Sequence, residues 1–229
     1  AEFDDVVARA AAKLTGLGVA QGDSVNLALT NSPAFIALWL ASVRLGAWIV
    51  PSDPQSRTQE LVEHQLRTKS KIGVCSVHRE DEFRAAALSI PVIVIDEDDC
   101  ELAVFGTEKF TNWPTLDIRD RAAVMFTSGT TGRPKGVDIS QANYSFAGQV
   151  MAAASGLTPD DRQLVVLPLF HANAQYYSFA SAIAVGASVA LMSTFSATRF
   201  LQQANTHAAT HASLVAAPIR MILARGNTP

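Results

Sequence analysis

Short apolar runs alternate with segments of helical spacing along most of the chain. Buried strands are expected where a brief apolar run is bounded by turn residues, and helices where apolar residues recur about every 3.6 positions. Strands are predicted at residues 24–29, 48–50, 71–75, 92–95, 122–127, 137–139, 163–167, 188–192 and 212–215. Helices are predicted at residues 3–14, 33–45, 58–69, 81–88 and 196–205, and after Ser140, Asn173 and Pro218. This alternation predicts an α/β fold, with mostly parallel sheets flanked by helices.

One span interrupts the alternation. Between Asp96 and Asp120 no clear period is visible, and the acidic residues at 97–99 are typical of a surface loop. A chain of 229 residues can form one large domain or two small ones. We expect residues 1–229 to be part of one large domain, with the boundary between two sub-blocks, if there is one, near residues 96–120.

Composition excludes several classes of protein. Hydrophobic residues make up 48% and charged residues 17%, which is typical of a chain that buries a core. A net charge of −3 gives no electrostatic footprint for nucleic acid or for an anionic membrane. No apolar run is long enough to span a bilayer, and the stretch Phe179–Met192 predicts a helix, a turn and a strand instead. Cys75 and Cys100 make no disulfide framework and the N-terminus does not resemble a signal peptide, so we expect a cytoplasmic protein.

The segment at residues 125–137, MFTSGTTGRPKGV, carries the candidate chemistry. Glycines let the backbone turn tightly and approach a ligand, and successive N–H groups in such a turn can converge on an anion. Hydroxyl groups add donors, and Lys135 adds a positive charge suited to phosphate oxygens. The hydroxyl groups belong to Thr127, Ser128, Thr130 and Thr131. The segment predicts a phosphate-binding loop; the alternative is a surface turn rich in serine and threonine that binds nothing.

This loop differs from a Walker loop in what surrounds its lysine. A Walker loop ends in Gly-Lys-Ser/Thr and leads directly into a helix. Here Pro134 precedes Lys135 and Gly136 follows it, so no hydroxyl group is placed to hold Mg²⁺. Residues 137–139 have an extended pattern, and the next helix begins only near Ser140. The loop is therefore expected to join two strands and to act through backbone amides, hydroxyl groups and one lysine, without a helix dipole.

The string TSGTTGRPKGV resembles the phosphate-binding signature of the acyl-adenylate-forming (AMP-binding) superfamily. This superfamily includes acyl-CoA synthetases, luciferases and the adenylation domains of peptide synthetases. Three further stretches are similar in order and spacing: residues 17–54, LPLFHANAQ at residues 167–175, and residues 186–226. Within the superfamily, the chain looks most like carnitine- or fatty-acid–CoA ligases. The resemblance implies part of the large N-terminal domain of such an enzyme.

The resemblance implies an ATP-dependent ligase that joins a carboxylic acid to coenzyme A. The carboxylate attacks the α-phosphorus of ATP to give acyl-AMP and pyrophosphate, and coenzyme A then takes the acyl group, with Mg²⁺ accompanying ATP. Lys135 and His171 are the residues expected to be catalytic. The residues expected to hold the phosphates are Thr127, Ser128, Gly129, Thr130, Thr131, Gly132 and Lys135.

By the same resemblance, His171 is expected to line and gate the site of the carboxylic acid. Taken alone, a histidine after Phe170 is more often a packed or surface residue. Asn173, Gln175 and Tyr176 are candidates for the same pocket, with ordinary helix packing as the alternative. The alanines at 172, 174 and within 180–184 suggest room for a bulky, apolar acid.

His207 and His211 have the spacing of a metal pair on a helix. No glutamate lies between them, and residues 210–211 have the pattern of a strand start, so no metal site is predicted.

The chain departs from the family pattern mainly in its length. It ends before the adenine- and ribose-binding motifs, before the acidic residue expected to hold Mg²⁺, and before the small C-terminal domain with its catalytic lysine. We therefore expect an N-terminal piece of a longer enzyme, nearly inactive alone. Two alternatives stay open: an adenylating enzyme that loads a carrier protein, and a non-catalytic nucleotide-binding module. The identity of the acid and the formation of a homodimer also stay open.

Overall fold

A computed structural model describes residues 2–99, 102–127 and 135–225. These residues fall into two compact units, one within Ala1–Ala142 and the other within Asn143–Pro229. The irregular span at residues 96–120, where the sequence suggested a boundary between sub-blocks, lies inside the first unit.

The described part of the first unit is built on a six-stranded sheet. Its strands are β1 (Ser24–Ala28), β2 (Trp48–Pro51), β3 (Ile72–Ser76), β4 (Val92–Ile95), β5 (Arg121–Thr127) and β6 (Lys135–Ser140). Their spatial order is β4-β3-β1-β2-β5-β6; the strands from β4 to β5 pair in parallel, and β6 runs antiparallel to β5. Strands β1, β2 and β3 are buried at every position, as expected for parallel strands covered on both faces.

Helices cover both faces of this sheet. They are α1 (Glu2–Gly16), α2 (Pro33–Arg44), α3 (Thr58–Thr68) and α4 (Glu80–Ala86), with short 3-10 turns at Val77–Arg79 and Ala103–Phe105. Right-handed crossovers in opposite directions place α2 on one face and α3 and α4 on the other. The helix α1 packs on α2, and α3 packs on α4.

The start of α2 shows how local sequence sets an element boundary. The hydroxyl of Ser32 accepts the N–H of Phe35 at 3.3 Å, and Pro33 occupies the first turn, where it displaces no helical hydrogen bond. The chain leaves the helix through Gly46, whose φ of +72° is a conformation that favours glycine. Both boundaries agree with the sequence prediction.

The second unit contains a small parallel sheet and several helical segments. Its elements are α5 (Gln141–Ser155, beginning at the end of the first unit), β7 (Arg162–Val165), α6 (Ser181–Val185), β8 (Ser188–Leu191), α7 (Phe200–Thr206) and α8 (Ala216–Leu223). Strands β7 and β8 pair in parallel, and His211 adds a single bridge to Gln163. Residues Asn173–Ala180 have π-helical geometry and lead directly into α6.

The second unit departs from the sequence prediction at three boundaries. The strand predicted at residues 212–215 does not form: the backbone makes an isolated bridge at His211, and the hydroxyl of Ser213 donates to Asn173 Oδ1 at 3.0 Å. Helix α7 begins at Phe200 because residues 196–199 form a turn. Helix α8 begins before Pro218, because a proline in the first turn removes no helical hydrogen bond.

Cys75 lies in the core of the first unit as a free thiol. Burial, aided by the nearby charge of Glu80, raises its pKa to about 12, so the thiol stays protonated at neutral pH. Cys100 lies outside the described residues. None of the helices that the structure describes has both the length and the apolar character needed to cross a bilayer.

Candidate functional site

Thr127 and Lys135 form the base of the hairpin that carries the glycine-rich loop. Thr127 ends β5, Lys135 begins β6, and the two residues pair across the antiparallel ladder. The Thr127 hydroxyl donates to the backbone oxygen of Lys135 across 3.4 Å. Both residues are exposed, and no carboxylate among the described residues forms an ion pair with Lys135. Its ammonium group is therefore available to an anionic ligand.

The surroundings of Lys135 confirm that this is not a Walker loop. The lysine begins strand β6, and the following helix, α5, begins only at Gln141. Lys135 therefore does not lie at the N-terminus of a helix, where a helix dipole would favour a bound anion. The other predicted phosphate-binding residues lie outside the described residues: Ser128, Gly129, Thr130, Thr131 and Gly132. Their contact with phosphate stays a prediction.

A buried histidine that the sequence did not single out lies against the base of the hairpin. His64 of α3 is only 4% exposed, and its ring stacks on Phe126 with centroids 4.0 Å apart and an interplanar angle of 7°. Its Nδ1 lies 3.0 Å from Ser52 Oγ. Burial lowers the pKa of His64, so the ring is neutral at neutral pH.

The sequence contained one signal for the position of His64. Most of the charged residues of α3 are exposed, as expected for the solvated face of a helix. His64, however, follows Leu61 by one helical turn, and Leu61 is buried. A histidine on the apolar stripe of an otherwise charged helix could have been recognised as a core residue.

His171 lies at the surface of the second unit, in the turn that leads into the π-helical segment. Its backbone N–H donates to the carbonyl of Pro168 at 3.0 Å, and its own carbonyl accepts the N–H of Gln175 at 3.4 Å. The ring contacts Phe170 with centroids 4.4 Å apart and a tilt of 55°. An exposed ring on a backbone fixed at both ends is suited to contact a ligand, and that role of His171 stays a prediction.

Gln175 is a core residue of the second unit. It is 0% exposed, the hydroxyl of Tyr144 donates to its Oε1, and its Nε2 donates to the carbonyl of Leu169 at 2.5 Å. Because both ends of the amide are bonded to protein, the geometry favours the packing alternative over substrate binding for Gln175.

The other two candidates are held in part by neighbouring side chains. Asn173 accepts a hydrogen bond from the hydroxyl of Ser213 at 3.0 Å. Tyr176 is half-buried and packs edge-to-face on Tyr144 with centroids 5.0 Å apart. Burial raises the pKa of Tyr176 to about 12, so its hydroxyl stays a neutral donor at neutral pH. Substrate binding by Asn173 and Tyr176 stays a prediction.

The alanines that suggested space for a bulky acid lie partly in the core. Ala174 is 0% and Ala182 1% exposed, whereas Ala172 is exposed. A Cβ added at Gly148 would lie 2.5 Å from the carbonyl oxygen of Ala180, so α5 approaches the π-helical segment closely. The small residues Gly148 and Ala180 thus let two backbone segments approach closely, and the preference for a bulky, apolar acid stays a prediction.

His207 and His211 are held by other contacts. His207 follows the end of α7, and its carbonyl accepts from Arg162 Nη1 at 2.7 Å. His211 Nδ1 lies 2.9 Å from Thr210 Oγ1 and 3.5 Å from Asp161 Oδ1. Across residues 2–99, 102–127 and 135–225, no three His, Cys, Asp or Glu side chains are grouped to hold a metal ion.

The family match covers the whole chain. Residues 1–229 match the family described as AMP-binding enzyme. The chain belongs to the AMP-binding enzyme family. This confirms the resemblance drawn from the glycine-rich segment of the hairpin and from the stretches around it.

Relatives of this AMP-binding chain include CoA ligases. It is 30% identical over 242 residues to the crotonobetaine/carnitine–CoA ligase of Escherichia coli O139:H28 (strain E24377A / ETEC), which covers 97% of the chain and 46% of that enzyme. The enzyme of the same name from Shigella sonnei (strain Ss046) is 30% identical over 229 residues, or 91% of the chain and 43% of the enzyme. The chain thus spans about half the length of the curated relatives it matches.

Solved structures of the AMP-binding fold agree with the α/β architecture. ATP-bound MatB from Rhodopseudomonas palustris has a TM-score of 0.88 at 25% identity, over 97% of this chain and 45% of MatB. A benzoate CoA ligase from Burkholderia xenovorans LB400 has a TM-score of 0.88 at 19% identity, over 100% of this chain and 47% of that enzyme. At 19% identity, the second comparison shows the fold alone.

Proposed function

We propose that the full-length protein is an ATP-dependent ligase that joins a carboxylic acid to coenzyme A. Membership of the AMP-binding enzyme family over the whole chain supports this function, as do relatives named as carnitine–CoA ligases and a structural neighbour solved with ATP. The single observation that carries the proposal is the exposed, unneutralised Lys135 at the base of the glycine-rich hairpin.

The proposed reaction has two steps. In the first, a carboxylate oxygen bonds to the α-phosphorus of ATP while the bond to the bridging oxygen of the β-phosphate breaks, which yields acyl-AMP and pyrophosphate. In the second, the sulfur of coenzyme A bonds to the acyl carbon, its proton is released and AMP leaves. The first step brings two anions together, so it needs positioning and neutralisation of charge.

Lys135 is suited to supply that neutralisation. Its ammonium group projects from a strand held by ladder pairing, and the partner residue Thr127 bonds to its backbone. A cation beside the departing phosphates would stabilise their negative charge as it develops in the transition state. We propose that Thr127, Ser128, Gly129, Thr130, Thr131 and Gly132 bind the β- and γ-phosphates together with Lys135.

An exchange of labelled pyrophosphate into ATP tests the first step. The full-length protein would be given ATP, Mg²⁺ and a panel of short, aromatic, long-chain and zwitterionic carboxylic acids. We expect exchange with at least one acid and none without acid, because the acyl-AMP step is reversible. No exchange with any acid would support the non-catalytic module instead.

The acceptor is tested by the second step. With the acid identified above, the protein would receive either free coenzyme A or a phosphopantetheinylated carrier protein. We expect a thioester product with free coenzyme A. A product that forms only on the carrier would replace the proposed ligase with a carrier-loading enzyme.

A further inference from the structure

We propose that His64 is a positioning residue for the phosphate-binding hairpin, acting through its stack on Phe126. The inference rests on the proposed function, because it assumes that this hairpin binds ATP. His64 belongs to α3, on the face of the sheet away from α2, and lies outside the glycine-rich segment and the other stretches that carry the family resemblance.

The first contact is a stack between two rings in the first unit. The centroids of His64 and Phe126 are 4.0 Å apart, and the rings are nearly parallel at 7°. Phe126 is the penultimate residue of β5, directly before Thr127. A face-to-face contact of this kind fixes the ring of Phe126 against movement away from α3.

The second contact joins Phe126 to the opposite strand of the hairpin. Phe126 pairs with Gly136 across the ladder, as Thr127 pairs with Lys135. A Cβ added at Gly136 would lie 3.5 Å from Phe126 Cε1 and 3.0 Å from Val124 Cγ1. The ring therefore lies over the backbone beside Lys135, and a shift of the ring would move the residue that carries the cation.

The third contact anchors His64 itself. Its Nδ1 lies 3.0 Å from the hydroxyl of Ser52, which is 1% exposed and follows β2 directly. The backbone N–H of Ser52 donates to the carbonyl of Leu27 in β1 at 2.8 Å. The contacts thus run from the central strands of the sheet through His64 and Phe126 to the base of the loop.

The Nε2 atom of His64 has no hydrogen-bond partner within the described residues although it is buried. A phenyl ring in its place would keep the stack on Phe126 and leave no buried nitrogen without a partner, and it would lose the contact with the hydroxyl of Ser52. If His64 acted only through its hydrogen bond, a phenyl ring could not replace it without loss of function. The conservative variant His64→Phe therefore separates stacking from hydrogen bonding.

The test compares His64→Ala, His64→Phe and Leu61→Ala in the full-length protein, by pyrophosphate exchange well below each variant's melting temperature. Leu61 is equally buried at 4% on the same helix, and its core cluster does not include Phe126. In His64→Ala we expect the KM for ATP to rise about three- to tenfold with the KM for the acid unchanged. His64→Phe is expected to restore the KM for ATP, and Leu61→Ala to lower only the melting temperature.

Two results would overturn this inference and leave the proposed function standing. The first is an unchanged KM for ATP in His64→Ala, and the second is a KM for ATP that rises as much in Leu61→Ala as in His64→Ala. A raised KM that His64→Phe fails to restore would also overturn it, because the stack would then not be the cause. Lys135→Ala distinguishes these results from failure of the proposed function. If that variant exchanges pyrophosphate normally, both proposals fail; if it is impaired while His64→Ala is normal, only this inference fails.

Discussion

At the scale of single residues, the candidates differ in whether their polar groups are already bonded to protein. Lys135 is exposed and unneutralised among the described residues, whereas Gln175 is buried with both ends of its amide bonded. The sequence indicated Lys135 through the glycine-rich segment, and the family resemblance around His171 suggested Gln175. It could not show that Gln175 is bonded to Tyr144, which lies 31 residues away. A local motif therefore predicts an exposed lysine better than it predicts the orientation of a helical glutamine.

The bond between Tyr144 and Gln175 gives a prediction at this scale. In Tyr144→Phe the buried Oε1 of Gln175 loses its donor, so we expect a loss of about 1–3 kcal/mol in the free energy of unfolding. The KM for the carboxylic acid should stay unchanged, because Gln175 is expected to be a packing residue. Thermal denaturation and pyrophosphate exchange of the full-length protein measure the two effects.

Tyr177→Phe is the matched control, since Tyr177 is 41% exposed and loses the same hydroxyl group. Its effect should stay within about 0.5 kcal/mol. If Tyr144→Phe were as stable as Tyr177→Phe but had a raised KM for the acid, Gln175 would be a substrate contact and the packing interpretation would be wrong.

At the scale of elements, boundaries set by local chemistry were predictable and those set by distant contacts were not. Ser32 and Pro33 mark the start of α2 in sequence and in structure. The π-helical geometry of Asn173–Ala180 has no signature in the sequence. The strand expected at residues 212–215 was suggested by its apolar run, but only His211 finds a bridge to β7. Strand formation depends on a partner, which the run itself does not contain.

The approach of α5 to the π-helical segment gives a prediction at this scale. A Cβ at Gly148 would lie 2.5 Å from the oxygen and 2.8 Å from the carbon of the Ala180 carbonyl. Backbone atoms cannot rotate away as a flexible side chain can, so Gly148→Ala should destabilise the protein by about 1–3 kcal/mol despite the better helix propensity of alanine. Thermal denaturation measures the change.

Gly16 provides the opposite case in α1. A Cβ added there meets nothing within 4 Å, so Gly16→Ala should be neutral or stabilising by up to about 1 kcal/mol. Equal effects of the two substitutions would contradict the close packing of α5 on the π-helical segment.

At the scale of the whole molecule, the class of fold was predictable and the strand order was not. Alternating strands and helices indicated parallel sheets, which the structure confirms from β4 to β5. The order β4-β3-β1-β2-β5-β6 depends on whether each connection crosses to the left or to the right along the sheet. The sequence of a single connection does not indicate that direction. The division at residues 142–143 falls beside the start of α5, a helix boundary with no linker composition to mark it.

Function also belongs to this scale. The family is established from the whole chain, but the chain spans about half the length of its curated relatives. The acid, the acceptor and the binding of adenine therefore belong to the proposal, and each experiment above uses the full-length protein.

Replacement of Lys135 by alanine tests the central claim most directly. In pyrophosphate exchange by the full-length protein, Lys135→Ala should lose about 2–4 kcal/mol of transition-state stabilisation, roughly a 30- to 1,000-fold fall in rate. Lys71→Ala, which removes an exposed lysine elsewhere in the first unit, should exchange at the unmodified rate. A Lys135→Ala protein that exchanges as fast as Lys71→Ala would contradict the account.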